Sequence, residues 1–283
     1  VLDRPVKAAV LQFSPGSRRA DNLRAAEALI DEAVSVHGAD LVALPEMWSC
    51  LGGDRARKLD ESETLPEPGA PPAHGTAYAM LQDAARRHSI TVHGGSVGER
   101  DGEQLFNTSL VFDAQGRECA RYRKIHLFDV TTPDGQGYRE SALFGAGDRV
   151  ITTHAAGMCL GLTICYDLRF GELFAALRRE GAEVIFVPSA FTAQTGRDHW
   201  EVLLRARAIE TQCWIVAPAT TGEHHDARGA ARQTWGHSLI IDPWGTIVAG
   251  LGADAGVAAA TIDAAVSERV RAAMPVLAHR RLA

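Results

Sequence analysis

Apolar runs of strand length alternate along the chain with stretches of helical periodicity. "VKAAVLQF" (6–13) reads as a strand, and "DNLRAAEALIDEAVSVHG" (21–38) as an amphipathic helix with Asp21 at its cap and Gly38 at its stop. "ADLVALPE" (39–46) is a further strand, closed by Pro45. A helix at "AYAMLQDAARRH" (77–88) and a strand at "ITVHGGSV" (90–97) follow. "LFNTSLVFD" (105–113) and "RECARYRK" (117–124), separated by Ala-Gln-Gly, predict a hairpin.

The second half keeps the rhythm. Strands are predicted at "RVITTH", "MCLGLTIC", "AEVIFVPS" and "CWIVAPAT", and helices at "GELFAALRREG" and "DHWEVLLRARAIETQ" (198–212). "HSLIID" and "TIVAGL" flank the turn Pro243-Trp244-Gly245. "GVAAATID" gives a last strand before a helix near 264–273. Strand–helix alternation with inserted hairpins means an α/β fold with mixed sheets. Two long stretches, 47–76 and 125–147, carry no assignable pattern, and loops of that length are usually functional. No compositional boundary divides the chain, which predicts one domain over residues 1–283.

Composition narrows the function classes. The chain of 283 residues is 46% hydrophobic and 23% charged, ordinary values for a globular protein with a sizeable core. A net charge of −6, with only the short basic runs "RKIH" and "AHRRL", argues against a nucleic-acid partner. No window approaches the ~20 apolar residues of a membrane span, and the first residues lack the apolar core of a secretory signal. The odd count of five cysteines favours reduced thiols and a cytoplasmic location. If Cys159 and Cys165 share a strand, six steps of ~3.3 Å hold them roughly 20 Å apart, too far for a bridge.

Three reactive side chains stand just past strand ends. Glu46 closes "LVALPE", Lys124 closes "RYRK", and Cys165 closes "LGLTIC". Ligands of open α/β sheets bind at the carboxyl ends of strands, so neighbouring strands would bring a carboxylate, an ammonium and a thiol together. The set suits acyl transfer: the sulfur attacks a carbonyl, the carboxylate takes its proton, and the ammonium holds the oxyanion. The NH of Tyr166 is a candidate second oxyanion donor, and Lys124 is expected to lower the thiol pKa.

Each residue alone has a plainer reading: a core thiol, a loop acid, a surface lysine. Cys50, Cys119, Cys159 and Cys213 keep the first of these. Other signatures fail. A phosphatase loop needs an arginine where Gly171 stands, and "GAGDRV" has Val150 where a dinucleotide fingerprint needs a third glycine. A papain-like cysteine signature is missing. The adjacent histidines of "EHHD" (223–226) suit one ion poorly and read as a solvated loop. No metal and no cofactor are expected.

Taken together, "LPEMW", "YRKIHLFD" and "CYDLRF" resemble the Glu-Lys-Cys triad motifs of the nitrilase superfamily of carbon–nitrogen hydrolases. The resemblance runs nearly end to end. "PSAFTAQTGRDHWEVLLRARAIETQCWIVAPA" and "WGHSLIIDPWGT" are similar to the amidase branch that includes omega-amidase and deaminated glutathione amidase. The resemblance implies a four-layer α-β-β-α sandwich with two mixed sheets, and a homodimer paired through helices near the site. It implies a second glutamate, Glu140 in "GYRES", for which a structural salt bridge is the rival reading. It also implies that Arg169, Phe191 and Thr195 contact the acidic end of a small amide substrate, as a guanidinium fork would. Pairing with Glu172 is the rival reading for Arg169. The implied reaction is hydrolysis of deaminated glutathione to 2-oxoglutarate and Cys-Gly, a metabolite-repair step, through a thioester. Release of ammonia from 2-oxoglutaramate, or a catalytically silent scaffold, are the alternatives. The chain departs from the family pattern at 131–140 and at 223–235.

Overall fold

Strand β1 (Val6–Gln12) presents Val6, Ala8 and Val10 to one core and Ala9 and Leu11 to another, so apolar layers must cover both of its faces. The computed structural model, which describes residues 5–132, 135–225, 229 and 231–281, supplies those layers. Along the first half come α1 (Arg19–Ser35), β2 (Leu41–Ala43), α2 (Arg55–Glu61), α3 (Ala77–His88), β3 (Thr91–His93), β4 (Val97–Asp101), β5 (Gln104–Phe112) and β6 (Glu118–Arg123). The hairpin β7 (Asp129–Thr131) and β8 (Gly137–Arg139) precedes a short turn of 3-10 helix, Glu140–Ala142.

The second half opens with β9 (Thr152–Ala155), β10 (Met158–Leu162), a 3-10 turn over Cys165–Arg169, α4 (Gly171–Arg179) and β11 (Val184–Phe186). A continuous helical segment follows: α5 (Ala193–Thr195), a π turn over Gly196–Trp200, and α6 (Glu201–Thr211). Then come β12 (Trp214–Ala217), β13 (Thr221–His225), β14 (Ala231–Trp235), β15 (Leu239–Ile241), β16 (Ile247–Gly250), β17 (Gly256–Ile262), α7 (Ala264–Ala273) and α8 (Val276–His279).

One sheet runs β17-β1-β2-β3-β5-β4, with β6 also paired to β5; the other runs β16-β15-β12-β11-β10-β9. Each has a parallel centre, β1-β2-β3 and β10-β11-β12, and antiparallel margins. Val42, Leu44 and Val92 of the first sheet pack with Ile30 of α1 and Leu81 of α3. Its opposite face, Ala8, Val10, Leu41 and Ala43, shares a core with Leu160, Ile185 and Ile215 of the second sheet, and that core continues to Phe174 of α4 and Leu204 of α6. The result is the α-β-β-α sandwich. Among the described residues no helix is long and apolar enough to cross a membrane.

Local departures from the expected elements have physical causes. Helix α1 begins at Arg19 with Arg18 at the cap position, so Asp21 lies inside the first turn rather than at the cap. The buried Asn22 side chain, bonded to both polar backbone atoms of Gly16 and to Ser49 O, fixes this earlier entry. The strand expected over 90–97 is broken at Gly94-Gly95 into β3 and β4. The unassigned stretches contain α2, the β7–β8 hairpin and the Glu140 turn. The 223–226 stretch is not a solvated loop through His225: Thr221–His225 is a strand, and His224 is buried between Pro15 O at 3.0 Å and Thr234 Oγ1 at 2.8 Å. Burial lowers its pKa to about 4. Asp226 lies outside the described residues.

Candidate active site

Glu46 follows β2 on a loop clamped by the loop after β3. Ser96 N donates to Pro45 O at 3.1 Å, and Met47 N donates to Ser96 Oγ at 3.0 Å. Gly95, at φ 59°, sits so close that a Cβ there would stand 2.1 Å from Pro45 O. Only glycine fits both that conformation and that space. The carboxylate so placed is buried and fully engaged. Its Oε1 accepts from Lys124 Nζ and from Asn107 Nδ2, each at 2.9 Å, and its Oε2 accepts from Ala190 N at 2.9 Å.

Lys124 leaves the end of β6 with its backbone N bonded to Asn107 O at 2.9 Å. Its ammonium, only 2% exposed, also donates to Glu140 Oε1 and Oε2 at 3.1 and 2.9 Å. Glu140 is held in turn by Phe128 N at 2.7 Å and Asn107 Nδ2 at 3.2 Å. Burial opposes the charge on Lys124, but Glu140 and then Glu46 outweigh it and hold the ammonium well above its ordinary pKa. A buried lysine survives here because two carboxylates and their hydrogen bonds surround it. Asn107, which donates to both carboxylates, was not singled out in the sequence; the available signal was one amide inside the apolar strand "LFNTSL".

Cys165 opens the turn after β10 with φ 48°, a left-handed conformation that costs a non-glycine residue about 1–3 kcal/mol. The surroundings enforce it. Cys165 N donates to Pro188 O at 2.9 Å. Asp167, fully buried two residues on, accepts from Ile164 N at 2.8 Å, Tyr122 OH at 2.7 Å and the His126 backbone N at 3.1 Å; its Oδ1 lies 2.7 Å from His126 Nδ1. Tyr122 and His126 flank Lys124 in sequence, so Asp167 ties the cysteine turn to the lysine strand. Among the described residues no backbone acceptor engages the NH of Tyr166.

The expected lowering of the thiol pKa does not prevail. Burial, and after it the charge of Glu46, push the Cys165 thiol well above the ordinary cysteine range, and the opposing pull of Lys124 is smaller. The Glu46 carboxylate lies within hydrogen-bond reach of the thiol.

Glu46, Lys124, Glu140 and Cys165 line one cavity of about 200 Å³, and Tyr166, Arg169, Phe191 and Thr195 line it as well. The Arg169 guanidinium carbon stands 5.5 Å from the Phe191 ring centroid and 5.9 Å from that of Tyr166, within reach of a cation–π contact. Its nitrogens are 3.3 Å from His199 Nδ1, and no ion pair to Glu172 forms among the described residues. Phe191 is packed on Trp200, and Thr195 Oγ1 lies 2.9 Å from Thr192 Oγ1. Lys58 and Arg232 also reach the cavity; neither was read from the sequence, since both lie in segments without a legible pattern.

The family model described as carbon-nitrogen hydrolase matches residues 7–272. A deaminated glutathione amidase of Synechocystis is 43% identical over 284 residues, covering 98% of each chain. One of Yersinia enterocolitica is 41% identical, covering 96% of this chain and 92% of its own. The solved structure of a Saccharomyces cerevisiae member of branch 10 of the nitrilase superfamily superposes with a TM-score of 0.87 at 29% identity, covering 99% of this chain and 98% of its own.

Proposed function

The chain belongs to the carbon–nitrogen hydrolase family, and we propose that it is an amidase that uses Cys165 to cleave a linear amide through a thioester. The observation that carries this reading is the buried Glu46–Lys124–Glu140 cluster, which shares its cavity with the Cys165 thiol. Glu46 takes the Cys165 proton as the sulfur adds to the amide carbon. Lys124 and the NH of Tyr166 hold the oxyanion, and Glu46 returns the proton to the departing amine. Water, activated by Glu46, then cleaves the thioester and frees the thiol. Glu140 fixes Lys124 and adds the second negative charge that keeps it an ammonium.

The substrate we assign is deaminated glutathione, cleaved to 2-oxoglutarate and Cys-Gly, the substrate in the names of the relatives in Synechocystis and Yersinia. In this reading Arg169, Phe191 and Thr195 receive the 2-oxo acid end, whose carboxylate suits the guanidinium fork. The enzyme works as one domain, in the cytoplasm, where its five unbridged thiols stay reduced.

The test is mass spectrometry of protein quenched during turnover. A 2-oxoglutaryl adduct on the Cys165 peptide is expected, together with loss of turnover in Cys165→Ala. Appreciable hydrolysis by Cys165→Ala would overturn the mechanism. Ammonia from 2-oxoglutaramate, with no Cys-Gly from deaminated glutathione, would move the assignment to the shorter amide.

A further inference from the structure

Helix α2 carries three basic residues with different fates. Arg55 donates to Ala142 O, and Arg57 meets Asp60 and Glu61. Lys58 has no carboxylate within ion-pair distance among the described residues and points into the active-site cavity instead. Arg232, on β14, lines the same cavity and is likewise without an ion pair among the described residues.

Both side chains stand on fixed supports. His224 and Thr234 lock the β13–β14 hairpin, and an isolated bridge joins Thr234 to Thr192. Arg232, two residues before the buried Thr234, lies on the same face of its strand. The loop leading to α2 is bonded to this hairpin, with Gly53 N donating to His225 O at 2.9 Å. Lys58 and Arg232 repel each other. Burial of the ammonium, and after it that repulsion, lowers the lysine's pKa. Glu140, the carboxylate that acts on Lys58 to favour its charge, is already bonded to Lys124. Two half-buried cations beside one cavity, unpaired among the described residues, attract an anion into it.

We propose that Lys58 and Arg232 form a second carboxylate-binding group, separate from Arg169, which recognises the leaving-group side of the scissile amide. The substrate class is then an amide between two carboxylates: an N-acyl amino acid or dipeptide with a free terminal carboxylate. Deaminated glutathione belongs to this class through its glycine carboxylate, and 2-oxoglutaramate does not. The proposal rests on the amidase reading above and sharpens it.

The test compares deaminated glutathione with its glycine carboxamide in the wild-type enzyme and in Lys58→Ala, Arg232→Ala and the double variant. Wild type should favour the free acid about tenfold or more in kcat/KM, as expected for hydrogen bonds to a charged group. The double variant should lose that preference, mainly through KM of the acid, whereas Lys58→Arg should keep most of it. A melting temperature close to wild type shows that each variant is folded. Turnover of both substrates with the acid preference unchanged in the double variant would overturn this proposal alone. No turnover of either substrate by wild type would overturn the amidase reading, and this proposal with it.

Discussion

At the scale of single residues, the proposed chemistry turns on a thiol whose ionisation is held back. After burial, Glu46 is the largest cause of the raised Cys165 pKa, and Lys124 is the largest opposing influence. Glu46→Gln removes a raising charge and leaves the lowering one, so the thiol should ionise at lower pH although turnover is lost. Rates of iodoacetamide labelling, followed on the Cys165 peptide across pH, should show the midpoint moving down. A midpoint that stays or rises would contradict this balance. Asn107 gives a second prediction. Its amide bonds both carboxylates around Lys124, and hydrogen bonds to charged groups are worth about 1.5–3 kcal/mol. Asn107→Ala should therefore cost roughly 10- to 100-fold in kcat with a smaller change in KM; a loss confined to KM would assign Asn107 to substrate binding. Glu46, Lys124 and Cys165 were legible because each ends a strand in a recognisable motif. Asn107 was not, because one amide in an apolar strand has several readings. Lys124 does pull the thiol pKa down, as expected, but the net shift runs the other way because a sequence displays a nearby lysine and not the burial that outweighs it.

At the scale of elements, the site is assembled by loops that brace one another at the carboxyl ends of parallel strands. The clearest brace is the Gly95 loop against Pro45. A side chain at Gly95 meets a positive φ and two carbonyl oxygens, those of Pro45 and Leu44 at 2.1 and 2.5 Å. Gly95→Ala should destabilise the fold by more than about 1 kcal/mol and swing Glu46 away from Lys124. Thermal melting should show a clear drop in midpoint, and the surviving folded fraction should hydrolyse amides more slowly than wild type. A stable variant with full activity would mean that the loop after β2 does not depend on this contact. Strand and helix positions were largely readable from apolar periodicity, as with the β5–β6 hairpin around Gly116. The start of α1 was not, because Asn22 acts through a tertiary contact with Ser49. The β13–β14 hairpin was unreadable for a related reason: its polar strands show no apolar alternation, and His224 is buried by Pro15, distant in sequence.

At the scale of the whole molecule, the sandwich places one helix pair outside each sheet, and the pair α4–α6 is the one connected to the cavity, through the Cys165 turn and the segment that carries Phe191 and Thr195. Apolar periodicity gave an α/β fold with mixed sheets; the four layers followed from the family resemblance, and apolar strands buried on both faces agree with them. The assembly state could not be read that way, since it depends on which apolar residues remain outside. Val202 and Ile209, seven residues apart on α6 and so on one face, are 63% and 50% exposed, and Trp244 in the β15–β16 turn is 57% exposed. The turn is fastened to the helix: Arg205 Nε donates to Gly245 O at 2.9 Å, and Gly245 lies against Ile209. Large exposed apolar side chains on one helix face and its adjoining turn suit self-association, and we predict a two-fold dimer formed through them. Sedimentation should give a dimer for wild type and a monomer for Val202→Asp/Ile209→Asp. Because α6 continues through the π turn from α5, which carries Thr195, the monomer should also turn over more slowly. A monomeric wild type, or a variant that stays dimeric, would locate any contact elsewhere; a monomeric variant with full activity would mean that the cavity keeps its shape without a partner.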